Sequence, residues 1–258
     1  MREKMKVIIA ALSIIIIVLL VISIVSPWYN MSFSMKGNAI NTVSNVSTDI
    51  YGRAEIDFYL EDGEVKLEAS STSNTGELLR QEQTQKAEYT GFFDRAITSF
   101  NTVLFLIIVS ILMFLVFLVF VFKKIRRKTK IVIFSFLTLL LFVTLIYSSV
   151  EIPSKLDNSL DTYSNKLDAS DSISNRDFYA YELFNRYDGG LVGSYSYSKP
   201  WTNLSSEVFT NFQGTADIGL NWGPSSGWYL LLISAILSLF NLGIVVLKKD
   251  VKIYEQKS

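Results

Sequence analysis

Cysteine and histidine are both absent from the 258 residues. Without cysteine there is no disulfide, so a folded part outside a membrane must hold by packing and strand pairing. Zinc and redox-metal centres built on His and Cys are excluded. A serine nucleophile with a histidine base is excluded as well. A third absence is local. Four apolar runs, Val7–Ser26, Val103–Phe122, Ile131–Val150 and Trp228–Leu247, contain no Asp, Glu, Lys or Arg. Each has the length of about 20 residues that an α-helix needs to cross a bilayer. An ion-coupled pump or transporter usually carries an ionisable residue near the midplane, and none is present here.

The zero formal net charge conceals a split. The amino-terminal tail, the link Lys123–Lys130 and the carboxy-terminal tail together hold 13 Lys/Arg against 3 Asp/Glu. The two long loops hold 11 Lys/Arg against 21 Asp/Glu. Basic residues in short segments beside spans face the cytoplasm. The sequence therefore predicts a multi-pass protein of the cell (plasma) membrane with both termini cytoplasmic. Its parts are a tail and first span at 1–26, an outer loop at 27–98 and a second span at 99–122. A basic link at 123–130 and a third span at 131–150 follow. A second outer loop at 151–227, a fourth span at 228–247 and a tail at 248–258 complete the chain. The first run is longer than a usual signal-peptide core, and Ile24-Val25-Ser26-Pro27 offers no small-x-small cleavage pattern. It is read as an anchor.

The loops carry strand patterns. Pro27 ends the first span, and Trp28 and Tyr29 suit a headgroup boundary, as do Tyr147, Trp228 and Tyr229. Met31, Phe33 and Met35 alternate with polar residues. Ala54–Leu60 and Val65–Ala69 also alternate around Asp62-Gly63, which predicts a hairpin with a two-residue positive-φ turn. Glu77–Glu88, rich in Gln, Glu and Leu, reads as helix. In the second loop, Leu156, Leu160 and Leu167 suggest a short amphipathic helix. Leu191–Ser198 and Val208–Trp222 read as strands. Tyr179, Tyr181, Tyr187, Tyr195, Tyr197 and Trp201 crowd this loop, either as the core of a β domain or as an outer binding face.

Other motifs carry less. Gly223-Pro224-Ser225-Ser226-Gly227 matches the letters of a nucleophile elbow, but no histidine base exists; it reads as a strand-to-helix turn with Ser225 or Ser226 as N-cap. Asp157, Asp161, Asp168 and Asp171 lack calcium-loop spacing and read as a solvated surface. Lys123, Lys124, Arg126, Arg127, Lys128 and Lys130 set topology and are candidates for contact with anionic lipid heads. Asn241 is a candidate helix–helix contact, either within the bundle or with a partner. Asn30, Asn45 and Asn203 head N-x-S sequons, all on the expected outer side.

The pattern of four spans resembles the claudin-like membrane superfamily, which includes claudins, the peripheral myelin protein group and fungal cortical-patch proteins. Pro27-Trp28 opening a hairpin-bearing first loop, the short basic link and Gly227-Trp228-Tyr229 entering the last span carry the resemblance. The family's Gly-Leu-Trp-x-x-Cys…Cys signature is missing, and the second loop is as long as the first. The resemblance implies a four-helix bundle capped by an extracellular sheet used for lateral or intercellular contacts. The expected fold is thus a four-transmembrane-helix bundle with an extracytoplasmic β-rich domain formed by both loops. The hairpin Ala54–Ala69 is expected to pair with strands from Met31–Met35 and Val208–Trp222. The expected role is a non-enzymatic docking, adhesion or assembly protein, with an auxiliary subunit of a transporter or channel as the alternative. An extracytoplasmic enzyme using Glu55 and Asp57, or Asp188 and Glu207, ranks below both. No cofactor is implied. The partners implied are the lipid bilayer and another membrane or surface protein or a second copy, with no nucleic acid.

Overall fold

The apolar runs form helices because nothing within them competes with intrahelical hydrogen bonding, and the alternating loop segments pair as strands. The computed structural model describes residues 3–74, 78–87, 94–123, 126–168, 186–200 and 212–247. The helices are α1 (Glu3–Ile24), α2 (Asp94–Phe122), α3 (Arg127–Asp168) and α4 (Ser226–Leu247). All 4 are long and apolar enough to cross a membrane. The strands are β1 (Tyr29–Asn41), β2 (Ser47–Phe58), β3 (Gly63–Ser73), β4 (Leu78–Ala87), β5 (Gly193–Pro200) and β6 (Phe212–Pro224). They form one 6-stranded sheet in the order β4-β3-β2-β1-β6-β5. Every pairing is antiparallel.

The helices pack in a ring, α1 against α2, α2 against α3, α3 against α4 and α4 against α1. Ile9, Ser13, Ile16, Leu20 and Ser23 line the buried face of α1 at helical spacing, while Ile8, Ile15, Val18 and Ile22 face outward. In lipid, apolar contact alone gives helices little reason to associate; close packing and hydrogen bonds do so instead. Phe134 packs on Phe117 with ring centroids 4.6 Å apart, and edge-on to Phe114 at 5.9 Å. Thr138 and Ser238 share a hydroxyl–hydroxyl bond of 2.8 Å between α3 and α4.

The sheet has two unlike faces. Met31, Phe33 and Met35 of β1 lie level with Ile56 and Ala54 of β2 and with Trp222, Leu220 and Ile218 of β6. Their neighbours Asn30, Ser32 and Ser34 lie level with Asp57, Glu55 and Arg53 and with Gly223, Asn221 and Gly219. Period-2 alternation thus gives one apolar face and one polar face. Strand β1 lies between the loop-1 hairpin and β6, so the hairpin reaches β6 only through β1.

Three expectations are corrected. Glu77–Glu88 is not helical: Leu78–Ala87 is the edge strand β4, paired with β3 from Gly63↔Ala87 to Thr72↔Leu78. Ladder hydrogen bonds to an adjacent strand outweigh the helix propensity of Gln and Glu, which is a weak preference. The Asp62-Gly63 turn is not a positive-φ pair. Gly63 already belongs to β3 opposite Phe58, and the connection is the loop 59–62, closed by Tyr59 N–H to Asp62 O at 2.8 Å. Helix α3 does not stop near Val150. It runs 42 residues through Pro153, with Ile152, Pro153, Leu156 and Ser159 buried at helical spacing. This packing holds the helix where proline's missing N–H would otherwise favour a break.

Gly193 shows how tightly the sheet is fitted at the bundle end. It lies level with Trp222, and a Cβ placed on it would fall within the indole. Gly193→Ala is expected to cost about 1–3 kcal/mol through overpacking. Denaturant unfolding of the purified protein would read this as a lower midpoint. An unchanged midpoint would mean that Trp222 does not occupy this position.

Candidate functional site

Among the described residues, four places bring polar chemistry together: the junction of sheet and bundle, the polar face of the sheet, a cleft beside the end of α1, and the bundle interior. The junction begins where Pro27 ends α1. Trp28 donates its backbone N–H to Phe58 O at 2.6 Å and accepts from Ser225 N at 3.0 Å. Its indole donates to Ser23 O at 2.7 Å. Gly227 N donates to Pro27 O at 2.8 Å, and a side chain on Gly227 would meet the Trp28 indole at 2.7 Å. Next to it, the Tyr29 hydroxyl donates to Gly190 O at 2.8 Å and lies 3.1 Å from the Tyr187 hydroxyl. The Tyr187 hydroxyl also lies 3.1 Å from Pro153 O, to which it donates. The ring of Tyr187 stands edge-on to Trp222, and Phe58 stacks on Phe100 of α2. Burial raises the pKa of both phenols; the Tyr187 hydroxyl, able to turn its proton toward a Tyr29 phenolate, partly offsets this for Tyr29, while the neighbouring Tyr29 raises Tyr187 further.

On the polar face, the Asn30 amide donates to Glu55 at 3.0 Å and to Asp57 at 2.8 Å. Arg53 pairs with Glu55 at 3.0 Å, and Lys66 pairs with Asp57 at 3.0 Å and Glu64 at 3.4 Å. The hydrogen bond to Asp57 leads the effects that push the Lys66 ammonium up to about 12. Glu55 and Asp57 therefore share a face, but each is held by an amide and a cation. Asp188 accepts from Gly190 N at 2.9 Å and serves a turn; Glu207 lies outside the described residues. Gly223–Gly227 is a strand-to-helix turn with Ser225 at the N-cap position, its carbonyl accepting from Tyr229 N at 3.3 Å.

A cleft of about 340 Å³ opens between the end of α1 and the β2–β3 loop, lined by Ile24, Val25, Tyr59, Glu61, Asp62, Gly63, Glu64 and Lys86. Lys86 pairs with Asp62 there at 3.5 Å. In the bundle, Asn241 is fully buried and bridges α4 to α1, its amide donating to Ile9 O and Ser13 Oγ, each at 3.2 Å. Its Oδ1 is buried without a hydrogen-bond partner among the described residues.

The residues singled out from the sequence separate into distinct places. Trp28 and Tyr29 are 1% and 2% exposed and belong to the core, where both rings fill the junction. Tyr147 and Trp228 are half-buried, Trp228 donating to Ser149 Oγ at 3.0 Å, and Tyr229 is 48% exposed. Tyr187 is not part of an open face; at 4% exposure it is a core residue. Tyr195 and Tyr197 are half-buried neighbours on the apolar face, with Arg186 over the Tyr195 ring at 4.9 Å. Tyr179, Tyr181 and Trp201 lie outside the described residues. Lys123, Arg126 and Lys128 are exposed; Lys124 and the side chain of Arg127 lie outside the described set. Lys130 is turned inward, donating to Val121 O at 2.9 Å and Lys123 O at 3.2 Å, so it caps α2. Neither contact had a sequence signal: the Tyr187–Pro153 bond joins residues 34 apart, and the turn of Lys130 back onto α2 depends on how α2 and α3 meet across the short link.

No protein-family model matches the chain, and no curated protein matches it.

Tyr187→Phe removes the bond to Pro153 and the hydroxyl contact with Tyr29 while keeping the ring. The expected cost is about 1–2 kcal/mol. A midpoint equal to the parent's would contradict the junction as described. The junction phenols and the Lys66 pair on the polar face together set an alkaline limit. The folded values of Tyr29 and Tyr187 lie above 10.0, and that of Lys66 lies at about 12 against 10.5. A raised folded value gives stability that is complete below the ordinary value and lost as pH rises past it. Unfolding midpoints should hold up to pH about 10 and fall above it. Tyrosinate absorbance should show two phenols that ionise only on unfolding.

Proposed function

We propose that this chain is a non-enzymatic protein of the plasma membrane whose sheet stands outside the cell as an assembly face, with a second copy as its partner. The basic tails and link support cytoplasmic termini, and the acidic loops that build the sheet support its outer placement. The claudin-like resemblance favours the same plan of a bundle under a contact-making sheet. Pairing of Glu55 and Asp57 with Asn30, Arg53 and Lys66 weighs against the carboxylate enzyme, because neither oxygen pair is free to handle a proton.

The observation that carries the reading is the relation between the two sheet edges. Among the described residues no strand lies outside β4 or β5. β1 runs away from the bundle, so β4 runs toward it and β5 away from it. A neighbour rotated about the bilayer normal therefore sets its β5 antiparallel to β4, continuing the sheet. The levels match across the ladder: Gln83 is level with Tyr195, Glu82 with Ser196 and Gln81 with Tyr197. No like charges face one another in that register. Leu67 and Leu79 are exposed beside the β4 edge and would gain cover. A long open edge is otherwise a liability that proteins protect.

The absence of cysteine makes the test direct. A Glu82→Cys/Ser196→Cys variant, oxidised in its own membranes, should give a ladder of crosslinked dimers and higher species. Neither single variant should do so. A monomer in all three, with the same monomer after purification in mild detergent, would contradict self-assembly. Stoichiometric co-purification of a larger transporter would move the reading to an auxiliary subunit.

A further inference from the structure

We propose that Asn45 is the acceptor of an N-linked glycan carried at the distal tip of the sheet; this rests on the outer placement argued above. The structure sorts the three sequons. Asn30 sits half-buried at the bundle end of β1, and its amide is committed to Glu55 and Asp57. Asn203 lies outside the described residues. Asn45, heading Asn45-Val46-Ser47, lies in the turn between β1 and β2 and is exposed.

That turn is closed by hydrogen bonds and leaves Asn45 exposed. Asn41 organises it: its side-chain oxygen accepts from Val43 N at 2.9 Å and Ser44 N at 3.1 Å. Its backbone N–H donates to Val46 O at 2.9 Å, and its carbonyl accepts from Asn45 N at 2.8 Å. Asn45 takes φ 54°, the left-handed region that asparagine tolerates better than other side chains. Its side-chain amide makes no hydrogen bond among the described residues. Ser47, two residues on, accepts from Asn38 Nδ2 at 3.0 Å and keeps its own hydroxyl proton for donation. Strand β1 has 13 residues, which puts the tip about 40 Å from the end of α1 at about 3.3 Å per residue. A glycan there clears both the headgroups and the edges of β4 and β5, so it is compatible with edge-to-edge assembly.

The donor class is an oligosaccharide linked to a polyprenyl phosphate or pyrophosphate, delivered by a membrane-bound transferase on the outer side. Asn45 Nδ2 attacks the sugar C1. The N–C1 bond forms, the bond from C1 to the phosphate oxygen breaks, the lipid phosphate leaves, and the amide gives one proton to the transferase's base. No electrons are exchanged with an external carrier.

The plain role of Asn45 as a left-handed turn residue makes no such demand, and the variants separate the two. Protein is purified from its own cells and digested with trypsin, and the peptide 37–53, which holds one sequon, is weighed. The expected result is a sugar mass on Asn45. It should vanish in Ser47→Ala, which leaves Asn45 and its φ in place, and in Asn45→Gly, which keeps the turn. It should persist in Ser47→Thr and Asn30→Gln. A peptide of unmodified mass overturns the proposal. In that event a Val43→Cys variant, treated on intact cells with a membrane-impermeant maleimide, separates the causes. Labelling leaves the outer placement standing without the glycan; absence of labelling removes both.

Discussion

The pairing of β1 with β6 is the interaction on which the rest of the molecule depends. β1 continues from α1, and β6 runs straight into α4, so the helix pair α1–α4 and the strand pair β1–β6 are one continuous two-ply unit. Backbone bonds from Ser225 and Gly227 to Trp28 and Pro27 carry the register across the change from strand to helix. In an apolar solvent a backbone group left unpaired is costly, and this junction is where helical bonding ends. It leaves those groups satisfied by the neighbouring chain segment. Everything else attaches to that unit: the β2–β3–β4 hairpins on one side, β5 on the other, and α2 and α3 closing the bundle.

Polar groups are placed by what each environment tolerates. Charges stay out of the spans, where buried hydroxyls bond to carbonyls one turn back, as Ser13 does to Ile9 and Thr138 to Phe134. Asn241 is the exception, spending its amide on the contact between α4 and α1. On the sheet, ionic groups neutralise one another across strands. Tyrosine hydroxyls at the junction bind β1, the 186–190 segment and the extension of α3 together, a linkage that disulfides supply in many small secreted domains.

Much of this was legible in the residues. Spans without charge announce helices, and the alternation of Met31, Phe33 and Met35 or of Ala54 to Leu60 announces strands, because both signals are local. β4 was misread because Arg80 to Lys86 alternates Gln with charged residues and Thr, giving a period of two with no apolar face to reveal it. Helix over Leu156 to Leu167 was legible from the leucine spacing, but its continuity with α3 through Pro153 was hidden because burial of Ile152 and Leu156, and the bond from Tyr187, come from elsewhere in the chain. For the same reason the sequence leaves Tyr187 open between core and outer face, and the inward turn of Lys130 depends on how α2 and α3 meet across the short link. Composition describes what a side chain can do; only the fold decides which neighbour it meets.

Cysteine pairing between β1 and β6 measures that central unit most directly. Ser32 and Asn221 are partners in register, while Asp217 lies four residues further along β6 on the same face. The Ser32→Cys/Asn221→Cys variant should form an intrachain disulfide readily in membranes. The Ser32→Cys/Asp217→Cys variant should stay reduced. Crosslinking in neither, or equally in both, would contradict a sheet built jointly from the two loops on this register.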